Sequence, residues 1–199
     1  VGLIDIRRGD FSVKLRDVQA RFASSGSVHT LELQRIDSPW GRLSGTLNLH
    51  GHAPFALKST AELIPPNGDT PQPRMRLDLH GPLAEIRAQL KAQSNWLQAG
   101  ASAVIQPFQP GQVTGLKADL VRLDLHTLDP SLPKASLSGR LTATQSQQTQ
   151  LTGEAELINR TPGTLTQNSL PLTRLAARFM LDPDLLVLDD LKLGVHLGA

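Results

Sequence analysis

The stretch that decides the fold is Leu43-Ser44-Gly45-Thr46-Leu47-Asn48-Leu49-His50. Leu stands at 43, 47 and 49, with polar side chains between. Strict alternation puts one set of side chains on each face of an extended strand. Working outward, the same pattern returns at 55–63, 75–80, 137–143, 151–157 and 175–181. Roughly twelve such runs cover most of the chain, and each predicts a strand with one apolar and one polar face.

The separators are rich in turn residues. Ser24-Ser25-Gly26, Asp37-Ser38-Pro39, Gly51-His52-Ala53-Pro54, the stretch 107–111 and Asp182-Pro183-Asp184 all punctuate the alternation. One run changes phase midway. Phe11, Val13 and Leu15 are odd, whereas Val18, Ala20 and Phe22 are even. A bulge or turn near Arg16-Asp17 would return the apolar set to one face. Leu83, Ile86 and Leu90 also fit helical spacing, but Glu85, Arg87 and Gln89 alternate with Ile86, Ala88 and Leu90, so a strand is predicted there. A short helical turn is expected at Asp129-Pro130-Ser131-Leu132, with Asp as cap and Pro in first position. The longest break, 64–74, carries four prolines and is read as a surface loop or a junction between two lobes.

An internal repeat ties the strands together. Leu47-Asn48-Leu49-His50-Gly51 recurs as Leu77-Asp78-Leu79-His80-Gly81, and Leu123-Asp124-Leu125-His126 follows without the glycine. Leu-Ser-Gly occurs at 43–45 and at 137–139. Such units cannot bury their Leu faces alone, and side by side they make one continuous apolar surface. The expectation is an all-β chain, one elongated segment over 1–199 without significant helix. The alternation still runs at 191–197, which is read as an internal piece of a longer protein.

Composition narrows the function. The chain has 199 residues, 35 of them Leu, with five Phe, two Trp, no Tyr and no Cys. Without Cys there is no disulfide framework or thiolate metal site. A net charge of +2 with 4% aromatics gives little to attract or stack nucleic acid. No stretch reaches the about 18 apolar residues of a membrane-spanning helix.

Candidate chemistry is sparse. His50 and His52 form an H-x-H pair that Asp78, His80, Asp124 and His126 could join if the repeats aligned, but solvated strand ends explain them better. Arg8-Gly9-Asp10 reads as a turn. Asn159-Arg160-Thr161 matches a glycosylation sequon and is better read as a turn. No nucleophile elbow, phosphate loop or paired carboxylates appear. No catalytic residue, metal ligand or cofactor site is therefore assigned, and the chain is not read as an enzyme. What remains is the aliphatic face: Leu43, Leu47, Leu49, Leu57, Leu77 and Leu79 in the first half, Leu123, Leu125, Leu137, Leu141, Leu157 and Leu175 in the second. By residue type alone, it fits either the closed core of a sandwich or a groove for acyl chains.

Several segments in their order resemble the TamB family, the translocation and assembly module subunits of the AsmA-like group. They are Asp37-Ser38-Pro39-Trp40-Gly41-Arg42-Leu43-Ser44-Gly45 with Pro54-Phe55-Ala56-Leu57; Gly81-Pro82-Leu83; and Asp129-Pro130-Ser131-Leu132-Pro133-Lys134-Ala135-Ser136-Leu137-Ser138-Gly139. In the last third, Gly153-Glu154-Ala155-Glu156-Leu157-Ile158-Asn159 precedes Pro162-Gly163, Leu170-Pro171-Leu172 and the run 186–191. The resemblance implies a U-shaped sheet, the β-taco, whose apolar interior carries phospholipid towards the outer membrane. It also implies a periplasmic location in a protein anchored in the inner membrane of a diderm bacterium. Acyl chains would be the ligand, and an Omp85-type barrel such as TamA would be met through other regions. The alternative expectation is a chaperone-like scaffold that assists outer-membrane proteins by strand augmentation.

Overall fold

The computed structural model describes residues 3–8, 11–66, 72–146, 149–182 and 185–196, and side chains from residue 14 onward. The chain is all-β and antiparallel. Its strands are β1 (Leu3–Arg8), β2 (Phe11–Ser25), β3 (Val28–Ser38), β4 (Gly41–His50), β5 (Ala56–Ile64), β6 (Arg74–Pro82) and β7 (Ile86–Gln93). There follow β8 (Leu97–Ile105), β9 (Val113–Asp124), β10 (Ser136–Gln145), β11 (Leu151–Asn159), β12 (Leu172–Asp182) and β13 (Leu185–Val195). Strand order is chain order, an up-and-down meander open at β1 and β13. Contacts divide the chain into two compact units, Val1–Leu90 and Lys91–Ala199, parting within β7.

In the first unit the register sorts the residues by face. Directly paired residues of antiparallel strands share a face. Leu31, Leu47, Ser59 and Leu79 form one row across β3 to β6, and Leu33, Gly45, Ala61 and Leu77 form the next. The other face carries Ser44, Glu62 and Arg76, then Thr46, Thr60 and Asp78. The repeated Leu-x-Leu-His segments lie in β4 and β6, both antiparallel to β5, with Leu47 level with Leu79. The break at 64–74 joins β5 to β6, which pair directly from Ala56↔Pro82 to Leu63↔Met75. Residues 67–71 within it lie outside the described residues.

The second unit repeats the arrangement. Ala99, Leu120, Gly139, Leu157, Leu175 and Leu193 form one row, and Ala101, Ala118, Leu141, Ala155 and Ala177 run beside it. Asp119, Arg140 and Glu156 occupy the reverse side.

Phase changes in the sequence coincide with bulges. Asp17 has φ 50° and interrupts the β2–β3 register between Arg16 and Gln19, where the change from odd to even apolar positions predicts it. Asp190 has φ 51° and interrupts β12–β13, so Leu186 and Leu188 give way to Leu191 and Leu193. Asp tolerates the left-handed conformation better than most residues. A further bulge lets the apolar face pass from Leu120 to Leu123 in β9.

Two local expectations are corrected. Asp129–Leu132 is not the helix; the helical turn is α1 (Leu125–Leu128), with Asp124 as its cap accepting from the Thr127 amide at 3.0 Å. Leu125 and His126 therefore leave the strand pattern that the third repeat predicts. Asp129 accepts from the Ser131 amide at 2.8 Å and closes the turn that follows. The segment 86–93 is a strand, with Ile86 and Ala88 buried and Arg87 and Gln89 exposed.

Gly139 lies in a Leu row because no side chain fits there. A Cβ would collide with the Glu156 carbonyl oxygen and press on Leu157 Cα at 3.1 Å. Gly139→Val should therefore lower stability by about 1–3 kcal/mol, measured by urea unfolding. Thr144→Val, at an exposed position of the same strand, should change it by less than about 0.5 kcal/mol.

Candidate functional site

The candidate site is the Leu-bearing face, which in each unit keeps large apolar side chains in solvent, among them Phe22, Leu31, Leu188 and Leu193. Within each unit, the close backbone contacts of the strands are those with their sheet neighbours. Among the described residues no large side chain is fully buried. The chain exposes 13096 Å², against roughly 9,200 Å² for a compact protein of its mass. A Leu left half exposed forgoes roughly 1 kcal/mol of the stabilisation that full burial gives.

All of the Leu residues singled out from the sequence except Leu125 lie in strands. Leu57 and Leu137 are buried, and Leu43, Leu47, Leu49, Leu77, Leu79, Leu123, Leu141, Leu157 and Leu175 are half-buried. Register joins Leu43 to Leu63, Leu49 to Leu57, and Leu47 to Leu79 through Ser59. In the second unit it joins Leu123 to Leu137, Leu141 to Ala155, and Leu157 to Leu175. Leu125 is half-buried at the start of α1, where its amide donates to Ala135 O.

Neither the alternation nor the repeats point to the small residues between the leucines. Ala101, Ala118, Ala155 and Ala177 share their row with Leu141 beside the row of Leu120, Leu157 and Leu175, so small side chains are interleaved with the leucines on this face. The Phe179 ring lies over Gly153, where a Cβ would stand 2.7 Å from its edge. On β13 the face is most open, with Leu188 54% and Leu193 58% exposed.

The opposite faces are wet and charge-paired. Arg140 Nε donates to Asp119 Oδ1 at 2.8 Å, Arg174 reaches Glu156 at 2.6 Å, and Arg178 reaches Glu154 at 3.3 Å. In the first unit Arg76 bridges Glu62 at 3.1 Å and Asp78 at 3.0 Å. Hydrogen bonds from Arg35, then from Arg42, hold the Asp37 carboxyl below its ordinary range. The Asp119 hydrogen bond and charge hold Arg140 protonated more firmly than usual. Exposed pairs of this kind are weak, because water screens them. Their effect is to keep the sheet's reverse side in water.

One end of the second unit is closed by its loops. Trp96, Ala135, Leu137, Asn159 and Gly163 are buried there. Asn159 is 4% exposed; its Oδ1 accepts from the Ser136 and Thr161 amides at 3.2 and 3.1 Å, and its Nδ2 donates to Leu170 O at 3.1 Å. The sequon asparagine is thus a buried clamp between two loops, with no free amide to carry a glycan.

The remaining motifs do not assemble into a site. His50 and His52 are exposed, His80 shares a row with Lys58 and Asn48, and His126 meets Leu132 O at 3.1 Å. No group of three metal-ligating side chains occurs among the described residues. Arg8-Gly9-Asp10 falls partly outside the described residues. No helix among them is long and apolar enough to cross a membrane. No family model, curated protein or solved structure matches this chain.

Asn159→Ala removes three hydrogen bonds and leaves the Thr161 amide without its acceptor, while the Ser136 amide keeps Thr161 Oγ1 and Leu170 O keeps the Gly163 amide. It should cost about 2–3 kcal/mol, read as a lower urea midpoint. Gln167→Ala, at an exposed loop position, should cost less, and the contrast isolates the clamp.

Proposed function

We propose that this chain binds hydrocarbon, the acyl chains of lipids, along its Leu-bearing faces. On the TamB resemblance given above, we read it as a segment of a periplasmic bridge that carries phospholipid towards the outer membrane. The observation that carries the proposal is an aliphatic face, continuous within each unit, that leaves Phe22, Leu31, Leu181, Leu188 and Leu193 exposed. Exposed apolar patches of this continuity mark ligand or partner surfaces.

The chemistry of the face supports hydrocarbon in particular. From Ala20 to Gly81 in the first unit, the paired positions on this face hold one ionisable side chain, His29. In the second unit, the paired positions of β8 to β12 on this face hold none. A lining of Leu, Ala and Gly selects by apolarity and shape and offers no hook for a head group. The rows run across the strands, so an acyl chain lying in one crosses successive strands.

The chaperone-like scaffold differs in what it contacts. Strand augmentation uses unpaired backbone at an edge, whereas hydrocarbon binding uses the face. A photo-crosslinking residue at Leu47 or Leu141 should trap lipid; trapping of protein there instead would favour the scaffold.

Leu47→Arg and Leu141→Arg each set a charge among aliphatic rows. Both should weaken binding of a fluorescent long-chain fatty acid at least about tenfold, with far-ultraviolet circular dichroism unchanged. Thr46→Arg, one residue away on the polar side, should leave binding intact. Equal effects from the two faces would contradict the proposal.

A further inference from the structure

On the Leu-bearing face of the second unit the smallest side chains are neighbours. Ala143 of β10 is opposite Gly153 of β11, and Ala155, two residues along β11, is opposite Ala177 of β12. Paired residues and residues two apart share a face, so these four make one low patch three strands wide. Taller side chains stand at its two remaining corners. Leu141 is opposite Ala155, and Phe179 is opposite Gly153.

Phe179 leans into the patch. The tip of its ring reaches across to β11 and lies 2.7 Å from the point that a Gly153 Cβ would occupy. The ring thus takes the space that the glycine leaves. Ala143 and Ala177 are only 3% and 8% exposed, whereas Leu181 and Leu188 beside the ring are 41% and 54% exposed. The floor of the patch is closed to solvent while the taller neighbours are open to it.

A ring laid over a cross-strand glycine also stabilises a sheet, by covering bare backbone. Two features go beyond that role. Among the described residues, Phe179 is the one aromatic side chain at the paired positions of β8 to β12 on this face. The positions around it hold Gly and Ala, which cannot rise to fill a gap, whereas a Phe side chain can turn about its two torsions. The patch is therefore a notch whose depth one side chain sets.

We propose that Phe179 is a specificity-determining residue of the hydrocarbon site. Its ring fills the notch over Gly153, so this face takes slim, flexible acyl chains and turns away rigid fused-ring hydrocarbon. The inference rests on the hydrocarbon reading above and names which hydrocarbon. A methylene chain can bend along the surface that the ring leaves, whereas a fused-ring skeleton needs a gap of its own shape. Removing the ring would open an apolar gap floored by Gly153 and Ala143, of the kind that stays dry and takes up compact apolar molecules.

The test is displacement of a fluorescent long-chain fatty acid from the full chain by palmitate and by lithocholate, a rigid four-ring carboxylate. Each carries one carboxylate, so the comparison reads hydrocarbon shape. The unaltered chain should prefer palmitate. In F179A that preference should fall about tenfold, with the affinity for palmitate itself changing less than about threefold. Phe179→Leu, which shortens the side chain and keeps it apolar, should move the preference part of the way and serves if F179A does not fold. L181A removes the next large side chain on the same strand and face and should leave the preference unchanged. An unchanged preference in F179A and F179L, equal weakening of both ligands, or an equal shift in L181A would make the ring structural cover only and overturn the inference. Lithocholate bound by the unaltered chain as tightly as palmitate would overturn it as well, with the hydrocarbon reading intact. Binding of neither ligand by the unaltered chain would overturn the hydrocarbon reading and this inference with it.

Discussion

Within each unit the sheet must solve two solvent problems with one backbone. Period-two alternation solves the first, sending Arg, Glu, Asp and Thr to one face, where they pair across strands. It leaves the second open, because within each unit the strands have their sheet neighbours beside them and the Leu-bearing face keeps apolar side chains in solvent. That exposed apolar face is the constraint on which the rest depends. It explains why, among the described residues, few side chains are buried and most of the leucines singled out are half-buried. It also gives the lining its character, since a face without ionisable groups offers a ligand little except contact with hydrocarbon.

Keeping that face continuous needs register as well as alternation. Each strand long enough to drift out of phase is reset by a bulge, and two resets place an Asp at positive φ. A one-residue slip would turn every Leu towards the wet side and every Arg towards the aliphatic rows. The charge pairs on the reverse face oppose such slips. Each is weak, but Arg140 with Asp119 and Arg178 with Glu154 find their partners in only one register.

Much of this is legible in the sequence. The alternating runs predict the strands, and the parity change at Arg16-Asp17 predicts its bulge, because both follow from side-chain geometry within one strand. The same reading applied to Leu188 and Leu191, or to Leu120 and Leu123, would have marked two further bulges. The third Leu-Asp-Leu-His was misleading for a local reason: Asp124 caps a helical turn, and capping competes with strand extension. The small residues interleaved with the leucines and the Asn159 clamp were not legible. Each depends on which strands are neighbours and in what register, and one strand's pattern carries neither. Alternation likewise could not tell a closed sandwich from an uncovered sheet, because both use one apolar face per strand.

The central claim is that the Leu-bearing face is accessible in the folded protein. The chain has no Cys, so single cysteines report cleanly. Leu47→Cys, Leu141→Cys and the polar-face control Thr46→Cys can be alkylated with a small maleimide under native conditions. The account predicts that the two Leu-face thiols react within about one order of magnitude of the control, far faster than global unfolding would allow. A long-chain fatty acid should then protect them and not the control. Leu-face thiols that react only at the rate of global unfolding would mean a covered core, and would contradict the account.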